Sequence, residues 1–192
     1  MQYLKKKMIS TKDRKNQHLN LAKSQFEEEL ERNSLETVVL PYCALPEINF
    51  KSINLSINFL DKKLSCPVMI SGMTGGTERA NNINRAFAEL AEEHKIAMGV
   101  GSQRASLEAN NSQKYLRKIA KNIPLIGNIG GVQLTSPSGM DLIKRAIDDI
   151  EANAIAIHLN PLQEIVQPEG DHDWRGVLNG ISEAVKTLPC PI

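Results

Sequence analysis

Four short apolar segments recur along the chain at nearly constant spacing, and this rhythm restricts the possible folds more than any other feature. The segments cover residues 67–73, 96–101, 124–130 and 154–160. Stretches with apolar residues at three- and four-residue intervals separate them, which is the pattern of amphipathic helices. Short apolar strands that alternate with such helices predict repeated βα units and a parallel sheet.

The region before this rhythm has a different pattern. Residues 12–33 are predicted to form a helix, whereas residues 36–65 hold prolines between short apolar runs and predict small strands and turns. We therefore divide the chain into an N-terminal part, 1–65, and a βα part, 66–192. The two clearest helix faces of the βα part carry Ile83, Phe87 and Leu90 in one helix and Ile143, Ile147 and Ile150 in another.

All four predicted strands run into glycine, serine, asparagine or glutamine. A flavodoxin-like or Rossmann sheet uses only one or two strand ends for its site, so four such ends favour a (β/α)₈ TIM barrel, in which every βα loop faces one mouth. Only the first four βα units are present, and Pro189–Ile192 lies where a fifth strand should begin. We therefore expect residues 1–192 to be the first half of a longer polypeptide, or only its ordered part. A self-contained half-barrel is the alternative.

Composition excludes several classes of function. The 192 residues are 41% hydrophobic and 23% charged with a formal net charge of +1, so no global field points to nucleic acid or a membrane surface. No apolar run approaches the ~20 residues needed to span a bilayer. The three cysteines are widely spaced and form no CxxC pair, which favours a reducing cytoplasm over a zinc site or a disulfide framework.

The most informative single run extends from Ala154 to Asp171. Residues 154–159 predict a buried strand, and the next dozen positions carry amides and carboxylates. Burying such groups is costly unless they meet a ligand or one another. Because ligands sit at the carboxyl ends of parallel strands, the run predicts an active-site edge.

Residues at the other strand ends suit phosphate or ring binding, although each also has a simpler explanation. Gly75 and Gly76 could cradle a phosphate or form a plain βα turn. Arg104, which follows Ser102, suits bidentate phosphate binding or is a surface arginine beside a capping serine. Asn128, which lies between glycines, could read a heterocycle edge or simply occupy a turn.

The polar end of the last strand offers candidates for metal and substrate contacts. Glu164 is a candidate Mg²⁺ ligand, because hard cations take oxygen ligands and often bridge to substrate phosphates. Glu169 and Asp171 compete for that role. His158 and Asn160 face the same side of the strand, which favours a ligand-binding histidine over one bonded within the core.

Seven motifs, in order along the chain, resemble the type 2 isopentenyl diphosphate isomerases, which are FMN-dependent (β/α)₈ enzymes. The resemblance spans about residues 14–192 and matches the N-terminal half of such enzymes. Asn16 and Gln17 depart from it, because acidic residues are common at these positions. The motifs are RKNQHL (14–19), ALPEI (44–48), ISGMTGG (70–76), MGVGSQR (98–104), GNIGGVQL (127–134), HLNPLQE (158–164) and PEGD (168–171).

The resemblance implies a role for each matched residue at the diphosphate end of the substrate. Arg14 and Lys15 would clamp the diphosphate, assisted by Ser102, Gln103 and Arg104.

At the reacting end, His158 and Gln163 are the implied catalytic residues, which would orient the alkene. Asn160 would contact the substrate together with Gln163, and Glu164 would bind Mg²⁺. The residues implied to hold FMN are Met73, Thr74, Ser102 and Asn128.

The activity implied by the resemblance is the conversion of isopentenyl diphosphate to dimethylallyl diphosphate in isoprenoid biosynthesis. The reaction would be a 1,3-allylic proton shift mediated by FMN that NADPH keeps reduced, with Mg²⁺ as a further cofactor. We expect a cytoplasmic homo-oligomer, a tetramer or an octamer, with no nucleic-acid or membrane partner. The alternatives are another FMN-dependent TIM-barrel oxidoreductase, such as a 2-hydroxy acid oxidase, and a non-catalytic half-barrel fragment.

Overall fold

The recurring apolar segments form four parallel strands, as their rhythm predicts. A computed structural model describes residues 11–24, 34–167 and 170–192. Within it the strands pair in the sequential order β3-β4-β5-β6, and every pair is parallel. The four strands are β3 (Met69–Ile70), β4 (Ala97–Gly99), β5 (Leu125–Gly130) and β6 (Ala154–His158).

The prediction of a (β/α)₈ barrel is wrong for the described part of the chain. β3 and β6 each pair on one side only, so the four-stranded sheet is open. A separate antiparallel ribbon joins β1 (Ile57–Phe59) to β2 (Lys62–Leu64). Polar residues at strand ends occur at the carboxyl edge of any parallel sheet. They therefore do not reveal how many strands the sheet has or whether it closes. Closure also requires a strand number, tilt and stagger that four strands do not supply.

Helices connect the strands and pack on the sheet. α1 lies in the predicted N-terminal helix, of which residues 25–33 lie outside the described part of the chain. None of the helices in the described ranges is long and apolar enough to cross a membrane. The helices are α1 (Thr11–Ser24), α2 (Glu78–His94), α3 (Arg104–Glu108), α4 (Tyr115–Ile119), α5 (Gly139–Ile150), α6 (Pro161–Val166) and α7 (Val177–Thr187).

The core lies between the sheet and its helices in two apolar clusters. In the first, Met98 of β4 and Leu125 of β5 are fully buried with Leu116 of α4. In the second, Ile129 of β5 and Ile155 of β6 pack with the buried face of α5. Burying these side chains stabilises the fold by roughly 1.5–3 kcal/mol each, before the entropic cost of ordering them.

The two predicted helix faces have different outcomes. Ile143, Ile147 and Ile150 are buried, so the face predicted for α5 is confirmed. Ile83, Phe87 and Leu90 do lie in α2, but their face is not the buried one, because Phe87 and Leu90 are 38% and 46% exposed. The buried residues of α2 are instead the small or polar Ala80, Asn84, Ala88 and Ala91.

Small residues let the α2 backbone approach its neighbours closely, and this close approach decides which face of the helix turns inward. α2 contacts both α4 and β4. The side chain of Asn84 crosses to the neighbouring loop, where Nδ2 donates to the Thr74 carbonyl at 3.1 Å.

Candidate functional site

A cavity of about 690 Å³ opens at the carboxyl ends of the four parallel strands. α1 forms one wall, and the loops that follow β3, β4, β5 and β6 form the others. This is where open α/β sheets bind ligands, because the loops diverge there and leave a crevice. Of the residues to which the resemblance gives a role, all but Gln103 line this one cavity.

Three cationic side chains converge on one side of the cavity. Arg14 and Lys15 come from the first turns of α1, and Arg104 begins α3. Lys15 Nζ donates to the Ser102 carbonyl at 3.4 Å, so α1 is tied to the loop after β4. The opposite face of α1 is anchored by Arg79 Nη1, which donates to Asn20 Oδ1 at 2.7 Å.

The surroundings of Lys15 disfavour its charged form. The pKa of Lys15 is lowered from its usual 10.5 to about 8, mainly by burial and then by the neighbouring charges of Arg14 and Arg104. The carboxylate of Glu108 acts in the opposite direction and raises the pKa. A bound anion would relieve both the burial penalty and the repulsion, so this group of cations is suited to a polyanionic ligand.

Two glycines of the strand-end loops are required by close approach. Gly76 has φ +79°, and a Cβ there would lie 3.0 Å from Lys15 Nζ. A Cβ on Gly101 would lie 2.5 Å from backbone atoms of Thr74, so this glycine lets two loops meet. We call the side of the cavity that carries Arg14, Lys15 and Arg104 the cationic wall. Gly76 leaves room for Lys15 in this wall, whereas Gly101 lets the loops after β3 and β4 come into contact.

The loops after β3 and β4, together with β5 itself, form the next wall. Met73, Thr74 and Ser102 line it together with Asn128, whose Oδ1 is buried and has no hydrogen-bond partner. A buried amide oxygen without a partner costs free energy, and a ligand that donates a hydrogen bond would remove that cost.

The polar end of β6 forms the remaining wall and begins α6. Asn160 is the N-cap, and its Oδ1 accepts from the Gln163 backbone N–H at 3.3 Å. Its Nδ2 donates to Gln163 Oε1, so Asn160 also orients the side chain of Gln163. His158, at the end of β6, is exposed to the same cavity.

Glu164 brings a carboxylate to the lining of the cavity. Its Oε2 accepts from the Asp171 backbone N–H at 3.1 Å. No cluster of three or more His, Cys, Asp or Glu side chains suited to a metal occurs within residues 11–24, 34–167 and 170–192. Glu164 could serve as one ligand of a hard cation such as Mg²⁺, because such cations take carboxylate oxygens.

Comparison with known proteins finds relatives that share one name. The chain is 51% identical over 154 residues to an isopentenyl-diphosphate delta-isomerase of Pseudescherichia vulneris, covering 79% of this chain and 44% of that protein. It is 43% identical over 183 residues to the enzyme of that name in Cronobacter sakazakii, covering 93% and 53%. With the one from Ignicoccus hospitalis it shares 43% over 189 residues, covering 96% and 52%.

The chain is similar to isopentenyl-diphosphate delta-isomerases. It spans about half the length of the curated relatives it matches. No protein-family model matches the chain. The name shared by these isomerases specifies a reaction but not a cofactor.

Among the residues to which the resemblance gives a role, Gln103 alone lies apart from the cavity. Its side chain is fully buried, and its polar atoms bond to Ala146 and Asn128. The loop motif around it indicated substrate contact for the whole Ser102–Arg104 segment. Only a structure shows that the middle residue of this segment turns away.

Some residues at the cavity have no role predicted from the isomerase motifs. Arg14 Nη1 donates to Gln167 Oε1 at 2.8 Å, and Arg104 Nη1 lies 3.7 Å from Asp171 Oδ2. Trp174 also lines the cavity. The density of polar residues between 160 and 171 was the available signal for Gln167, and Asp171 was a candidate Mg²⁺ ligand, not a predicted partner of Arg104. No sequence signal marked Trp174. Pro168 and Glu169, part of the PEGD motif, lie outside the described residues.

Proposed function

We propose that the chain belongs to an enzyme that converts isopentenyl diphosphate to dimethylallyl diphosphate. The observation that carries this proposal is the convergence of Arg14, Lys15 and Arg104 on the cavity that His158 and Gln163 also line. One wall suits a diphosphate, and another presents groups able to orient a short apolar tail. The similarity to enzymes named isopentenyl-diphosphate delta-isomerase supports the same reaction.

The cationic wall favours a diphosphate over a small neutral ligand. Arginine offers two parallel donors to phosphate oxygens, and a charge-assisted hydrogen bond is roughly twice as strong as a neutral one. Lys15 is already half-buried beside two arginines, so a multiply charged anion gains more there than at an exposed lysine.

We propose FMN as the cofactor, in the reduced form, as in the type 2 enzymes. Asn128 supports this choice, because its buried, unpartnered Oδ1 can accept a hydrogen bond from a heterocycle. Met73, Thr74 and Ser102 would hold the same group along the adjoining loops. A cavity of about 690 Å³ lies within the usual range for sites that bury a ligand of this size.

Two further components belong to the proposal. Glu164 would hold Mg²⁺, which would supply positive charge beside the diphosphate. NADPH would serve as the reductant that keeps the flavin reduced. Both choices come from the resemblance to the type 2 enzymes, and the Mg²⁺ choice also fits the Glu164 carboxylate that lines the cavity.

The chemistry is a 1,3 shift in which one carbon gains a proton and another loses one. Reduced FMN, when bound, would supply the electron-rich ring and the proton transfer that side-chain acids provide poorly to an unactivated alkene. The chain's own residues hold the reactant. Arg14, Lys15 and Arg104 fix its diphosphate, while His158 and Gln163 orient its tail and help to exclude water.

The direct test is an anaerobic assay of the chain with isopentenyl diphosphate, FMN, NADPH and Mg²⁺. Formation of dimethylallyl diphosphate supports the proposal. Turnover of lactate in place of isopentenyl diphosphate would favour an oxidoreductase. If neither substrate reacts, titration with inorganic pyrophosphate tests the cationic wall alone, and absence of binding contradicts the diphosphate assignment.

Gln163→Ala tests the orienting role of Gln163. We expect turnover to fall about a hundredfold with little change in pyrophosphate binding, because Gln163 would act on the tail and not on the diphosphate. Leu162→Ala, at an exposed neighbour on the same helix, is the matched control and should retain activity. Unimpaired turnover of Gln163→Ala would refute the assignment.

A further inference from the structure

Gln103 is buried between two residues that face the cavity. Ser102 and Arg104 both line the cavity, whereas the side chain of Gln103 is 0% exposed. In the segment Ser102–Arg104, the side chain of the middle residue therefore points into the protein interior. A glutamine in such a position costs free energy unless both its donor and its acceptor are used.

Both ends of the Gln103 amide are used, and with different partners. Oε1 accepts from the Asn128 backbone N–H at 3.1 Å, and Nε2 donates to the Ala146 carbonyl at 2.9 Å. The backbone N–H of Gln103 donates to the Asn128 carbonyl at 2.9 Å. Gln103 thus bonds to both backbone polar groups of Asn128 and to α5.

These hydrogen bonds replace those that a longer β4 would make to Asn128. β4 ends at Gly99, whereas its neighbour β5 continues to Gly130. The backbone of Asn128 therefore lies beyond the paired part of β4, and Gln103 supplies the donor and acceptor that a longer β4 would have provided. Because Asn128 Oδ1 is an unpartnered atom in the cavity wall, whatever fixes the Asn128 backbone also fixes the point from which that side chain extends.

We propose that Gln103 is a positioning residue that holds Asn128 and the Ser102–Arg104 segment in register. The buried side-chain amide of Gln103 then sets the position of the cationic wall relative to Asn128, without touching the substrate. The inference rests on the proposed function only in treating the cationic wall as a diphosphate site. The physical requirement is a side chain with one donor and one acceptor, about the length of glutamine.

Gln103→Met tests the proposal, because methionine keeps the shape and removes both hydrogen bonds. We expect the Asn128 amide to exchange with deuterium at least about tenfold faster, measured by NMR. We also expect the affinity for inorganic pyrophosphate to fall about tenfold, which is the effect of losing one or two net hydrogen bonds. Both are measured well below the melting temperature, so that global unfolding does not contribute.

Gln113→Met is the matched control. Gln113 is also a buried glutamine, 1% exposed, but its Oε1 and Nε2 have no hydrogen-bond partner. This variant should change neither pyrophosphate affinity nor Asn128 exchange.

Each pattern of results decides the question. Weaker pyrophosphate binding with unchanged Asn128 exchange would mean that Gln103 contacts the ligand, and faster exchange with unchanged affinity would mean a purely structural role. Either overturns the proposal. If wild type does not bind pyrophosphate, the proposed function fails, and Asn128 exchange still decides whether Gln103 holds that residue. If Gln103→Met does not fold, an Asn128 amide that exchanges in wild type as fast as an unbonded loop amide overturns the proposal.

Discussion

The two ends of the parallel sheet use their arginines and lysines in opposite ways. At the amino end, Arg117 Nη1 donates to the carbonyls of Ala120 at 2.7 Å and Ile123 at 3.1 Å. Its Nη2 donates to the Glu151 carbonyl and to Asn153 Oδ1, both at 2.8 Å. At the carboxyl end, Lys15 makes one long hydrogen bond and lies among like charges.

The difference separates stabilisation from binding. The acceptors of Arg117 belong to the loops that precede β5 and β6. The Arg117 guanidinium therefore holds these two loops together and stabilises the sheet. Lys15 is held where its charge is costly, which destabilises the fold and leaves the charge available to an anion. Residues arranged like Lys15 indicate a ligand site, whereas residues arranged like Arg117 indicate a structural brace.

Removing the brace should have the largest effect on stability. Arg117→Met leaves four acceptors without their donor, and we expect the free energy of unfolding to fall by about 3 kcal/mol. Urea denaturation measures this change. Arg145→Met is the matched control, since Arg145 has one such bond, from Nη2 to the Leu107 carbonyl at 3.0 Å, and should lose about 1 kcal/mol. Equal losses in the two variants would remove the contrast between the sheet's ends.

Removing a cation at the other end should have the opposite effect on stability. Lys15→Met removes a costly charge, so we expect the free energy of unfolding to rise by about 1 kcal/mol. The same variant should bind inorganic pyrophosphate about tenfold more weakly, as calorimetry would show. Lys23→Met, in the exposed last turn of the same helix, should change neither quantity. A Lys15→Met variant that is less stable than wild type would contradict the role given to Lys15.

The pH dependence of that stability difference is the smallest and most specific effect. The pKa of Lys15 is about 8 in the folded chain and 10.5 in the unfolded chain, so the unfolded chain holds more protons between these values. Stability therefore rises with pH across that window, and the penalty is complete below about pH 8. The advantage of Lys15→Met should be constant below about pH 8 and disappear as the pH approaches 10.5. An advantage that grows with pH would be inconsistent with a lowered pKa.

Much of the site could be predicted from the sequence, because each motif follows a strand of the same parallel sheet. His158, Asn128, Ser102 and Met73 reach one cavity for that reason. The inward direction of the Gln103 side chain could not be predicted, since it depends on a donor in β5 and an acceptor in α5 that lie far along the chain. The buried face of α2 was also missed, because alanines pack closely against β4 and α4 while Phe87 stays partly exposed.

The sequence by itself determined where the parallel strands lie and that their polar ends share one edge. These properties follow from local periodicity and from the rule that βα units run in one direction. Only the tertiary structure decided that the described sheet is open, that Gln103 points inward, and that the charge of Lys15 is costly. Each of these depends on contacts between residues distant in sequence, such as Lys15 with Ser102 and Gln103 with Ala146, which no local pattern encodes.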